Sequence, residues 1–132
     1  EDFHADRIGH GVRIMEDENV VALARERATT FEVCVTSNYQ SGVTQALTSH
    51  PLMRMLMAGL NVTINTDDPS ISQITLGHEY RVVCEELGLP LPQLSERILA
   101  AARSTFLEPA RQQELIHSIQ PALANLAAAD PG

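Results

Sequence analysis

Leu60-Asn61-Val62-Thr63-Ile64-Asn65-Thr66-Asp67-Asp68-Pro69 is an apolar, β-branched run that closes on two adjacent carboxylates and a proline. The run from 61 to 65 reads as a strand. Two neighbouring carboxylates at a strand end repel unless something cationic holds them, which points to a metal. Successive strand side chains point to opposite sides, so Asp67 and Asp68 cannot face one ligand in the same way. One can bind a metal while its neighbour reads a substrate. Pro69 biases Asp68 toward an extended backbone and leaves both carboxylates at the carboxyl end of the strand, where parallel α/β folds keep their chemistry. Taken alone, the same residues also fit a turn with a helix N-cap.

Working outward, a second signal lies upstream at Asp6-Arg7-Ile8-Gly9-His10-Gly11-Val12, a short strand-like segment ending in a histidine between two glycines. Glycine on both sides lets backbone and ligand approach closely. By itself His10 reads first as a satisfied structural histidine; it gains weight only beside the Asp-Asp-Pro run. Between and beyond the two motifs, short apolar runs alternate with helical periods, the pattern of βα units with parallel strands. Strands are expected at 6–9, 30–36 and 61–65, the middle one covered on both faces. Helices are expected at 17–28, with Asp17 as N-cap and Val20, Val21 and Ala24 on the buried side, and at 51–58. Further helices are expected at 74–87, with Leu76, Tyr80, Val83 and Leu87 on one face, at 93–105 and at 109–120. Pro121 should break or kink the last, leaving an Ala-rich, frayed tail from 122 to 132. No internal repeat, phosphate loop or basic aromatic patch is apparent.

Net charge narrows the partners. The chain carries 17 acidic and 9 basic residues among 132, a formal charge of −8, which argues against nucleic acid or an anionic membrane surface. A neutral small molecule remains compatible. Hydrophobic residues make up 44% of the chain, with two Tyr, three Phe and no Trp, so the core should be mostly aliphatic. Cys34 and Cys84 show no metal or redox spacing and read as reduced packing thiols, with a cytoplasmic location as the default. No apolar run of about 18 residues suggests a membrane span.

Three strand-end motifs in register now carry a resemblance: Arg7-Ile8-Gly9-His10-Gly11, Glu32-Val33-Cys34-Val35-Thr36-Ser37-Asn38, and Val62-Thr63-Ile64-Asn65-Thr66-Asp67-Asp68-Pro69. With Thr75-Leu76-Gly77-His78-Glu79-Tyr80 and Ala101-Ala102-Arg103-Ser104-Thr105-Phe106-Leu107, the chain resembles the zinc-dependent adenosine deaminases of the amidohydrolase type from about Asp6 to Ile119. The resemblance implies the carboxyl-terminal part of a (β/α)8 barrel, residues 1–120, followed by the tail at 121–132. A full barrel needs about 250 residues, so this chain cannot close one alone. The family's His-x-His pair and its His-Ala-Gly-Glu segment, which supply three histidine ligands and a proton-donating glutamate, have no counterpart here. The chain therefore reads as a fragment, a proteolytic product or one chain of a split protein, and its expected partner is the amino-terminal part of the same barrel or a companion chain.

Site roles follow residue by residue from the resemblance. Asp67 would ligate one Zn²⁺, which lowers the pKa of water to about 7. His10 would hydrogen-bond the attacking oxygen, and Asp68 would meet N7 of the purine. The implied reaction is hydrolytic deamination of adenosine or deoxyadenosine to inosine or deoxyinosine and ammonia. Thr66 looks closer to the adenosine type than to the adenine type, where Ser usually stands. Related adenine and aminofutalosine-type enzymes are the alternative, as is a non-catalytic half-barrel that binds a partner. Ser37 and Asn38 fit a strand-terminating turn as well as a place beside the substrate, Val35 replaces the family's usual Pro, and Glu79 and Tyr80 read as structural.

Overall fold

In the computed structural model, which describes residues 4–128, three parallel strands lie side by side in chain order: β1 (Arg7–Gly9), β2 (Thr30–Val33) and β3 (Asn61–Ile64). Parallel neighbours require a crossover, and helices supply it. α1 (Glu18–Glu26) joins β1 to β2, and α2 (Val35–Gln40) and α3 (Leu52–Met57) join β2 to β3. After β3 come α4 (Pro69–Ser72), α5 (Leu76–Glu85), α6 (Leu91–Arg103) and α7 (Pro109–Ala128).

Register divides the sheet into a polar and an apolar face. Arg7, Thr30 and Asn61 share one row, and Gly9, Glu32 and Thr63 the next on the same face. There Asn61 Nδ2 donates to Thr30 Oγ1 at 2.7 Å, and Arg7 Nε pairs with Glu32 Oε1 at 3.4 Å. The alternate residues Phe31, Val33, Val62 and Ile64 are buried with Leu52 and Met55 of α3, Val83 of α5 and Leu94 of α6. Each such side chain contributes about 1.5–3 kcal/mol on burial, so this face holds the helices to the sheet. The end of α6 is tied to the amino ends of the strands. Ser104 Oγ lies 3.1 Å from Thr30 Oγ1, and the Arg7 guanidinium stacks 4.0 Å from the Phe106 ring centre.

Several expected boundaries move, each for an identifiable reason. β2 was expected to run to residue 36 but ends at Val33, and Val35 starts a helix instead of continuing the strand. The buried Glu79 carboxylate accepts from Thr36 N at 3.3 Å, satisfying a first-turn amide and overriding the β-preference of Val35. Asp17 caps α1 as expected, its Oδ1 accepting from Asn19 N and Val20 N. Ala24 is buried, yet Val20 is exposed. Val20 and Leu23 lie with Ile8 along the outer side of β1, where no described element covers them. α5 begins at 76 because the Thr75 hydroxyl caps it, and α6 begins at 91 because Pro92 is well placed in a first turn. Pro121 does not end α7, which runs through it to Ala128. Losing one N–H costs a single bond there, and the Ala-rich segment that follows favours helix. Of the expected frayed tail, 122–128 is helical and 129–132 lie outside the described residues.

Among the described residues no strand pairs with the outer edge of β1 or of β3. The ladder binds Asn65 N to Val33 O at 2.9 Å, and alternation along the strand then turns the peptide groups of Val62 and Ile64 away from β2. Arg97 Nη1 donates to Val62 O at 3.4 Å along this edge.

Candidate active site

The carboxyl ends of the strands gather the polar residues that the sequence singled out. β1 ends at Gly9, and His10 follows with its N–H donating to Glu32 O at 2.9 Å. Its backbone then turns left-handed, with φ 56° at His10 and 65° at Gly11. A Cβ at Gly11 would lie 2.6 Å from Phe31 Cδ1, so the turn both needs left-handed φ and leaves no room for a side chain. Beyond β3, Asp67 is also left-handed, with φ 62°. Asp and His tolerate this region better than most residues, but each still costs on the order of 1–3 kcal/mol.

These two bends bring His10 Nε2 to 3.6 Å from Asp67 Oδ2, with side chains 37% and 45% exposed. Between them in the sheet, α2 adds two polar side chains. Ser37 Oγ donates to Asp67 Oδ2 at 2.8 Å, and Asn38 Nδ2 lies 3.1 Å from His10 Nδ1. Asn38 is buried, and its Oδ1 meets His50 Nε2 at 3.0 Å. Burial pushes the His50 pKa down to about 4. The sequence left Ser37 and Asn38 open and did not single out His50. The only signal for Ser37 and Asn38 was their place in the turn of helix that follows β2, near the level where β1 and β3 present His10 and Asp67; His50 carried none.

Asp68 stands apart. Its Oδ1 accepts from Ser70 N at 2.9 Å and Ile71 N at 3.1 Å, capping α4, so the turn with a helix N-cap is present. Asp67 and His10 line two adjoining cavities of about 460 and 470 Å³, one with Ser37 and Asn38, the other with Glu32, Asn65 and Tyr80. Asp68 lines neither. Cys34, beneath the second cavity, has its thiol pushed up to about 12 by burial, assisted by the Asp67 and Glu79 carboxylates, so it is protonated at neutral pH and serves as packing. Glu79 is fully buried: Oε2 holds Thr36 N, while Oε1 has no partner among the described residues.

Among the described residues no cluster of three or more His, Cys, Asp and Glu could hold a metal alone. The donor chemistry fits a share of one. Asp67 offers a solvent-facing carboxylate, one of the donor types that bind zinc. The remaining ligands would have to come from outside this chain.

The model of the adenosine deaminase family matches residues 1–122. The chain belongs to the adenosine deaminase family. It is 37% identical over 111 residues to an adenosine deaminase of Edwardsiella ictaluri, covering 84% of this chain and 33% of that protein. It is 35% identical over 113 residues to an adenine deaminase of Rhizobium leguminosarum bv. trifolii, covering 86% and 35%. Among solved structures, an adenine deaminase from Arthrobacter aurescens superposes with a TM-score of 0.86 at 30% identity, over 92% of this chain and 37% of that one. An amidohydrolase from Burkholderia ambifaria with bound Zn gives 0.84 at 25% identity, over 96% and 36%. The chain thus spans about a third of the length of the relatives it matches. Its three parallel strands and flanking helices are the carboxyl-terminal part of the deaminase barrel.

Proposed function

We propose that this chain supplies the carboxyl-terminal half-site of a zinc-dependent purine deaminase, with adenosine or deoxyadenosine as substrate and inosine or deoxyinosine and ammonia as products. The observation that supports this most is the convergence of His10 Nε2 and Asp67 Oδ2 at 3.6 Å on the carboxyl ends of β1 and β3. In this reading Asp67 is the chain's zinc ligand, and the metal supplies a water activated near neutral pH. Ser37 holds one Asp67 oxygen by its 2.8 Å bond and so orients the carboxylate. His10 donates from Nε2 to the oxygen that attacks C6 of the purine, stabilising the charge that develops there. Asp68 keeps Oδ1 on the α4 amides and offers its other oxygen to N7 of the ring.

The rest of the barrel, in the same protein or in a companion chain, would add the remaining ligands and the proton donor. The open edges of β1 and β3 and the exposed Ile8, Val20 and Leu23 support a partner of that kind. Neither nucleic acid nor a membrane surface suits a chain of charge −8, and among the described residues no helix is long and apolar enough to cross a membrane. Two free cysteines accord with a cytoplasmic setting.

Adenine is the second reading, favoured by the relatives named for that substrate at similar identity. The deciding experiment reassembles the chain with the amino-terminal part of its barrel and measures zinc content by native mass spectrometry and ammonia release from adenosine, deoxyadenosine and adenine. One zinc per complex with release from the nucleosides supports the main reading, and release from adenine alone replaces it. A zinc-free, inactive complex would favour a non-catalytic binding module.

A further inference from the structure

The hydrogen bonds behind His10 form one chain that decides which of its nitrogens carries the proton. The chain starts at the backbone: Leu52 N–H donates to His50 Nδ1 at 3.1 Å. A ring nitrogen that accepts has no proton, so neutral His50 must carry its proton on Nε2. His50 is buried and its pKa is lowered, which keeps it neutral at physiological pH. Its Nε2–H therefore donates to the oxygen 3.0 Å away, Asn38 Oδ1. Asn38 has then only Nδ2 to offer His10. An amide nitrogen is a donor, so the His10 Nδ1 it meets at 3.1 Å must be a lone pair. The reverse amide orientation fails, because Nδ2 facing His50 Nε2 would require both His50 nitrogens to accept, as in an imidazolate.

We propose that His50 and Asn38 are positioning residues that hold His10 in the tautomer with its proton on Nε2, the nitrogen facing Asp67 and the cavity. A backbone amide of α3 thereby sets the hydrogen-bonding sense of a side chain at the end of β1. The inference rests on the proposed role of His10 and deepens it: His10 enters the reaction as a donor and not as a base.

The test is ¹⁵N–¹H long-range correlation NMR on the reassembled protein labelled at histidine, at neutral pH, with resonances assigned by single histidine substitutions. The expected spectrum shows unprotonated Nδ1 and protonated Nε2 at both His50 and His10. A proton on Nδ1 of either overturns the proposal. This readout needs no turnover, so it can fail or succeed whether or not the protein deaminates purines. Asn38→Asp adds a second reading, since it replaces the donor facing His10 with an acceptor of the same shape. The His10 proton is then expected to appear on Nδ1, with kcat reduced about 10- to 100-fold and KM little changed; an unmoved proton overturns the proposal. If that variant does not fold, the wild-type spectrum decides alone.

Discussion

Ser37 Oγ donates to Asp67 Oδ2 at 2.8 Å, joining α2 to the segment that follows β3 through one side-chain bond. A hydrogen bond to a charged group is worth about 1.5–3 kcal/mol, less here because the pair is exposed. Ser37→Ala is expected to lower kcat/KM of the reassembled enzyme about 10-fold and to weaken zinc binding, with unfolding nearly unchanged. Steady-state kinetics with a zinc titration would check this, and wild-type values for both would remove Ser37 from the site.

Asp67 and His10 should separate metal binding from chemistry. Asp67→Ala is expected to lose both zinc and deamination. His10→Ala is expected to keep most of the zinc while turnover falls about 10²–10³-fold, the range for one lost electrostatic stabiliser. Metal analysis beside initial rates distinguishes them. Unchanged zinc and rate in Asp67→Ala would sink the assignment of that residue.

Gly11 is fixed by space as well as by φ. Gly11→Ala brings a methyl group to 2.6 Å from Phe31 Cδ1 in a left-handed backbone. Overpacking and strain together are expected to destabilise by about 2–4 kcal/mol. A fall in denaturant midpoint would show it, and Gly11→Ala with a wild-type midpoint would mean that Phe31 yields freely.

His50 couples stability to pH. Its pKa is near 4 in the fold against an ordinary 6.5, so the unfolded chain binds more protons between these values. The stabilisation from keeping His50 neutral is complete above pH 6.5 and is lost as pH falls toward 4, by at most about 3 kcal/mol. Denaturant unfolding from pH 7 to 4 should show this loss in the wild type and a flatter profile in His50→Gln. Parallel profiles would mean that another group carries the effect.

The fold was legible because strand-end motifs and helical periods are local. β1 and β3 fall within one residue of their expected bounds, and Asp17 caps α1 as its position suggested. Two misreadings turned on surroundings that no local pattern records. β2 stops early because Glu79, more than 40 residues away, takes an amide of α2, and Val20 stays exposed beside β1, where no described element packs over it. His10, Asp67 and Asp68 were visible as motif residues. The bonds of Ser37, Asn38 and His50 were not, since each crosses between elements and no spacing rule relates a serine after one strand to an aspartate after the next.

In the proposed function, the left-handed backbone at His10 and Asp67 sets activity against robustness at the same two positions. Glycine would sit at φ 56° or 62° without the steric penalty that a Cβ brings, so the conformation suits a residue that can do no chemistry. Improvement for heat resistance alone would therefore move these positions toward glycine and silence the site. Histidine and aspartate there mark the places where this fold forgoes stability to keep the groups of the proposed site aimed.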